Sequence, residues 1–215
     1  MRRFEESELI LNQDGSVFHL HIKPEQLAHK VILVGDPGRV SLVASHFTDI
    51  EMEVQSREFH SITGKYQGKR ITVASTGIGC DNIDIVVNEL DALVNIDFAT
   101  RTEKAEKTSL EIVRIGTCGG LQEYTPVGTF IVSEKSIGFD GLLNFYAGRN
   151  EVCNLALEDA FTEHMHWNPQ LCAPYVIEAD EELTNRIGGD DMVHGITIAC
   201  GGFYLSLIHI SEPTR

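Results

Sequence analysis

The stretch Val31-Ile32-Leu33-Val34-Gly35-Asp36-Pro37-Gly38-Arg39 most restricts how this chain can fold. Four apolar residues, Leu33 and three β-branched neighbours, read as a short buried strand. Asp36 then fits a helix N-cap, and Pro37 the first helical position, where its missing N–H costs nothing. Strand, tight turn and helix start follow one another without slack. Backbone N–H groups at such a turn converge on a point that favours an anion. Arg39 falls in the first helical turn, where a cation opposes the helix dipole by roughly 0.3–1 kcal/mol. An anion in front of it would reverse that balance, because a hydrogen bond to a charged group contributes about 1.5–3 kcal/mol. A surface pair between Arg39 and Asp36 accounts for the residue equally well at this point.

Two further strand ends carry similar chemistry. The strand Arg70 to Ser75 runs into Thr76-Gly77-Ile78-Gly79, whose glycines permit a tight turn and close backbone approach. The strand Leu110 to Ile115 is interrupted by Arg114 and followed by Gly116-Thr117-Cys118-Gly119-Gly120. A guanidinium in a central strand is costly unless it meets an anion, and ligands bind beyond the carboxyl ends of strands in open α/β sheets. A structural Arg–carboxylate pair is the competing reading. The coincidence of hydroxyl, glycine turn and arginine favours the anion.

Around these lie the remaining expected elements. Val17 to Ile22 alternates like an edge strand, with His19 and His21 on one face. Val40 to Phe47 continues the first helix. Gln55 to Lys69 holds two strands and a glycine turn. Asp81 is the expected cap of a helix Ile83 to Leu93, with Ile83, Val86, Val87, Leu90 and Leu93 on its apolar face. Asp97 to Ser109 reads as a charged surface excursion. Gly128 to Glu134 and Gly195 to Cys200 read as strands, Val152 to Met165 and Glu178 to Ile187 as helices. The apolar, glycine-rich segment Ile137 to Tyr146 suits a pocket wall or a subunit contact. Alternating strands and helices imply a three-layer α/β/α domain around a central mixed sheet, one domain over residues 1–204.

Composition excludes several roles. A formal net charge of −15 argues against nucleic acid or an acidic membrane surface as partner. A small anion remains admissible, because screening over about 8 Å lets a few converging arginines outweigh distant carboxylates. The five cysteines are scattered, with no Cys-x-x-Cys and no Cys/His cluster, so reduced thiols in a cytoplasm and no metal site are expected. No signal-peptide core and no membrane-spanning apolar run is present in the sequence. Gly77-x-Gly79 lacks the third glycine of a dinucleotide fingerprint, and no acidic residue follows at the required distance, which argues against a nicotinamide cofactor.

In order and spacing, the three strand ends resemble the nucleoside phosphorylase family that includes uridine phosphorylase and the hexameric purine nucleoside phosphorylases. Val17-Phe18-His19-Leu20 and Ser56-Arg57-Glu58-Phe59 resemble the uridine phosphorylase branch. The similarity runs from about Val17 to Tyr204. It implies phosphate held by the Gly35 N–H and by Arg39, Arg114 and Thr117, with Arg57 reaching in from a neighbouring subunit. It implies His19 of that neighbour on the ribose 5′-hydroxyl, Thr117, Cys118 and Gly119 beside ribose and base, and Phe203 stacked near the base. The residues implied for catalysis are Arg39, Arg114 and Thr117. Glu58 matches a position that binds an alkali cation in some relatives, but Asn82 stands where a serine is expected, so no metal is assigned. The implied reaction is phosphorolysis of a nucleoside, most closely uridine, in a cytoplasmic homo-oligomer (a dimer or hexamer with shared sites). No cofactor is implied; inorganic phosphate is the co-substrate. The alternatives are a purine nucleoside phosphorylase, a nucleosidase of the same fold, which would not need the Arg39 and Arg114 cradle, and an inactive phosphate-binding fragment. After Tyr204 the family's Gln/Arg and Met-Glu segments are not found. Leu205 to Arg215 resembles a non-native tail, so the domain is expected to be incomplete at its C-terminus.

Overall fold

The computed structural model describes residues 2–201; Phe203 and the tail at 205–215 lie outside the described residues. The chain divides into two compact units, one ending at Thr117 and one beginning at Cys118.

The first unit runs β1 (Lys30–Val34), α1 (Pro37–Ala44), β2 (Asp49–Ser56), β3 (Phe59–Tyr66), β4 (Lys69–Ser75), α2 (Cys80–Asn95), β5 (Ile96–Asp97), β6 (Thr102–Glu103) and β7 (Glu111–Ile115). Its main sheet has the order β2-β3-β4-β1-β7. β1 is parallel to β4 and β7, whereas β2, β3 and β4 form an antiparallel meander, so the sheet is mixed.

Period-two alternation in β1 explains the layering. Val31 and Leu33 join Ala74 and Phe59 beneath Val86, Leu90 and Leu93 of α2. Ile32 and Val34 join Ile62 and Val73 beneath Val40, Val43 and Ala44 of α1. One helix thus covers each face, giving the three layers α1, sheet, α2. The nearly continuous apolar run of β1 follows from burial on both sides.

Several local expectations give way. Val17 to Ile22 is a turn, not an edge strand: the Val17 N–H donates to Ile22 O at 3.0 Å, the His21 N–H donates to Val17 O at 3.1 Å, and His21 has φ 54°. The reversal buries Val17, Leu20 and Ile22 together, which an extended strand would not. Helix α2 begins at Cys80 on Gly79 (φ 97°), so Asp81 is a first-turn residue and not the cap. Val87 is exposed, and Glu89 occupies the buried stripe in its place. Helix α1 ends at Ala44, short of Phe47. The stretch Asp97 to Ser109 contains a ribbon, β5 paired with β6, rather than only a loop. β7 is an edge of the five-stranded sheet, so Arg114 is exposed rather than interior.

The second unit holds β8 (Ile131–Gly138), α3 (Arg149–Val152), α4 (Leu155–His164), β9 (Tyr175–Glu178), α5 (Glu181–Ile187) and β10 (Val193–Ala199), with the sheet order β10-β8-β9. The single helix expected over Val152 to Met165 is broken. Cys153 is extended and bridges to Ile177, and the Asn154 side chain accepts the Leu157 N–H to cap α4 afresh. Glu178 ends a strand instead of starting a helix, because Asp180 caps α5 through the Leu183 N–H. Ile137 to Tyr146 is split between the end of β8 and a short 3₁₀ turn, Leu142–Phe145.

Candidate anion-binding site

Register brings the three glycine-bearing strand ends to one edge. Val34 stands opposite Ser75 on one side and Ile115 on the other, so the chain leaves β1, β4 and β7 at the same level. Thr76, fully buried, donates its N–H to Val34 O at 2.8 Å, which fastens the end of β4 to the end of β1.

The Gly35 turn is built as its sequence suggests. The Asp36 carboxylate accepts the Gly38 N–H at 2.8 Å, and Pro37 is the first helical residue. A β-carbon on Gly38 would come within 3.3 Å of Asp36 Oδ1, so the cap favours glycine there. Capping uses the Gly38 N–H, and the Asp36 carboxylate is therefore engaged by backbone rather than by Arg39. Among the described residues neither Arg39 nor Arg114 forms an ion pair, so neither the surface pair of Arg39 with Asp36 nor a structural carboxylate pair for Arg114 is realised.

Arg114 shares its register position with Leu33, on the α2 face of the sheet. Its guanidinium folds over the glycines: a β-carbon on Gly116 would lie 2.5 Å from Nη1, and one on Gly35 would lie 3.8 Å from Nη2 and from Gly77 O. Gly35, Gly77, Arg114 and Gly116 are thereby brought together. Arg39 follows four residues after Gly35 on the first turn of α1, half-buried, and Thr117 lies exposed just past Gly116.

Arg57 and His19 form a second cluster. Arg57 takes φ 54° in the two-residue turn between β2 and β3, and its guanidinium lies 5.5 Å from the Phe18 ring centre. The Phe18 and His19 rings are edge to face at 4.9 Å, and His19 meets Phe59 at 6.1 Å. This turn is tied to the end of β4: Ser75 Oγ donates to Glu58 O and accepts the His60 N–H, both at 2.8 Å. Glu58 and Asn82 both approach Gly77, and the Asn82 amide donates to Ile78 O at 3.0 Å.

One residue escaped the sequence reading. Glu89 of α2 is buried, and its carboxylate accepts the backbone N–H of Leu20 at 2.8 Å and of His19 at 2.9 Å, and meets His19 Nδ1 at 2.7 Å. Its signal was available: Glu89 is a carboxylate between Val86 and Leu93 on the apolar face of a helix. Cys118 and Gly119 open the second unit and are exposed; Phe203 lies outside the described residues.

The arrangement sets a guanidinium, with no carboxylate partner among the described residues, beside glycine backbone at aligned strand ends, chemistry suited to an oxyanion. No helix among the described residues is long and apolar enough to cross a membrane. The chain is 29% identical over 146 residues to a uridine phosphorylase of Thermococcus kodakarensis, covering 68% of this chain and 48% of that protein. It is 36% identical over 106 residues to a DeoD-type purine nucleoside phosphorylase of Alkaliphilus metalliredigens, covering 49% of this chain and 40% of that protein. It thus spans about half the length of the curated relatives it matches. The crystal structure of a Trypanosoma brucei nucleoside phosphorylase that shows uridine phosphorylase activity superimposes with a TM-score of 0.77 at 29% identity, covering 91% of this chain and 70% of that one. A family profile described as the phosphorylase superfamily matches residues 29–207, so that with three-layer sheet, glycine-rich strand ends and relatives in agreement, the chain belongs to the phosphorylase superfamily.

Proposed function

We propose that this chain carries the phosphate-binding part of a nucleoside phosphorylase, with uridine as the preferred nucleoside. The observation that carries the reading is the Arg114 guanidinium laid against Gly35 and Gly116 without a carboxylate partner among the described residues. Arg39, Arg114 and Thr117 hold inorganic phosphate, assisted by the Gly35 N–H. Arg57 and His19 serve the site of a neighbouring subunit in a homo-oligomer. Arg57 is exposed and His19 half-buried beside Phe18, and among the described residues Arg57 forms no ion pair, which supports that assignment. The assignment of Cys118, Gly119 and Phe203 to the nucleoside rests on the family resemblance.

In the reaction, a phosphate oxygen forms the new bond to C1′ as the C1′–N bond breaks. The base departs with the bonding electron pair and is protonated as it leaves. Arginines position the phosphate dianion, and its charge stabilises the oxocarbenium-like sugar. Inorganic phosphate is consumed as co-substrate, and no organic cofactor takes part. The five free cysteines support a reducing, cytoplasmic setting.

Uridine is favoured by the Thermococcus relative and the Trypanosoma structure; a purine substrate is favoured by the Alkaliphilus relative. The test is product analysis on the full-length protein with uridine and inosine, with and without phosphate. Uracil and ribose 1-phosphate, formed only when phosphate is present, are expected. Cleavage that proceeds equally without phosphate points to hydrolysis and overturns the proposal.

A further inference from the structure

We propose that Glu89 is a positioning residue: its buried carboxylate fixes the proton of His19 on Nδ1 and turns Nε2 outward toward the substrate hydroxyl. The inference rests on the reading of His19 as the ribose 5′-hydroxyl contact.

The geometry is specific. Glu89 Oε1 meets His19 Nδ1 at 2.7 Å and the His19 N–H at 2.9 Å, while Oε2 takes the Leu20 N–H at 2.8 Å. Both Glu89 oxygens are engaged as acceptors of backbone N–H groups, which leaves the ring nitrogen facing Oε1 as the donor. In the neutral ring this leaves Nε2 as a bare acceptor, suited to accept a hydrogen bond from a sugar hydroxyl. Glu89 has 12% of its side-chain surface exposed and His19 has 25%, so the clamp is sheltered while the imidazole reaches out. The Phe18 and Phe59 rings flank the imidazole edge to face. Among the described residues Nε2 has no partner of its own. The arrangement matches the use of an outer carboxylate to set tautomer and orientation of a working histidine.

Two measurements test it. Long-range proton–nitrogen spectra of the chain at about pH 8.5, above the ordinary histidine range, report the tautomer. His19 is expected to carry its proton on Nδ1, and Glu89→Gln, which still offers an oxygen to the backbone, is expected to lose that preference. A wild-type His19 protonated on Nε2 overturns the proposal without need of any variant.

The second measurement compares kcat/KM for uridine and 5′-deoxyuridine in the full-length protein. Glu89→Gln is expected to lower the uridine value about tenfold, the scale of one hydrogen bond, and to leave 5′-deoxyuridine unchanged. His19→Asn retains a donor toward Glu89 but has no Nε2, and is expected to lose the same discrimination without losing stability. Discrimination that survives Glu89→Gln but not His19→Asn overturns the positioning role alone. A wild-type protein indifferent to the 5′-hydroxyl overturns the reading of His19 and the inference with it.

Discussion

The guanidinium of Arg114 lies so close over Gly116 that a β-carbon on that glycine would meet Nη1 at 2.5 Å. The strand that delivers the charge and the turn that follows it therefore share one space. Only a residue without a side chain at position 116 lets the guanidinium fold back toward Gly35.

Gly116→Ala should accordingly displace Arg114, since the obstructed atom is the far end of a flexible side chain and the backbone need not move. The thermal midpoint is expected to change little, while the KM for phosphate rises about tenfold or more, the range for losing a charged hydrogen bond. Gly35→Ala is the useful contrast, because its methyl would sit at 3.8 Å from Arg114 Nη2, an ordinary contact. Any loss there reports space taken from the anion and not a displaced arginine. Phosphate-dependent initial rates of both variants make the comparison.

Gly77 should be a stability position. With φ 70°, alanine there carries about 1–2 kcal/mol of left-handed strain. Its β-carbon would also meet Asn82 Nδ2 at 2.7 Å and Glu58 Cγ at 3.0 Å. Gly79 meets no neighbour, but at φ 97° and ψ 160° it stands in a region that is essentially glycine-only. Urea unfolding is expected to show both Gly77→Ala and Gly79→Ala destabilised, the first by backbone strain and crowding together, the second by backbone strain alone.

In the second unit, Glu158 of α4 should be indispensable. It accepts Arg149 Nη1 at 2.8 Å and the Val176 N–H at 2.9 Å, with only 16% and 11% of the two ionic side chains exposed. Removing one partner of a buried ion pair leaves the other uncompensated, at about 3–5 kcal/mol. Glu158→Ala is expected to lose β9 and α4 packing first, visible as early hydrogen exchange of Val176.

Cys153 should resist alkylation. Burial, followed by a hydrogen bond to the Glu158 carboxylate, pushes its thiol above the ordinary cysteine range. The folded state therefore prefers the protonated thiol. This contribution is intact below the unfolded thiol's range and is lost as pH climbs through the raised folded value. Iodoacetamide mapped by mass spectrometry is expected to label the exposed Cys118 and Cys172 first, and Cys153 only on unfolding or at high pH.

Much of this fold is written locally. The β1–α1 junction follows from an apolar run, a capping Asp36 and Pro37, all of which act within a few residues. The layer assignment follows too, because alternation in β1 splits Val31 and Leu33 from Ile32 and Val34. What local pattern could not give was decided by distant partners. Val17 to Ile22 alternates like a strand, yet Glu89, about seventy residues away, takes the N–H groups of His19 and Leu20 that a strand would have shared. Likewise, Cys153 ends a helix that periodicity would continue, because it bridges to Ile177. At the site, Arg114 and the glycines were legible as residue types in place. Their mutual fit required the register of three strands.

The most direct test is calorimetric titration of inorganic phosphate into the protein and into its Arg114→Gln variant at fixed ionic strength. Saturable binding by the wild type, weakened at least about tenfold in the variant as expected for a lost charged hydrogen bond, is the predicted result. Equal affinity in the two proteins would contradict a phosphate site organised by Arg114.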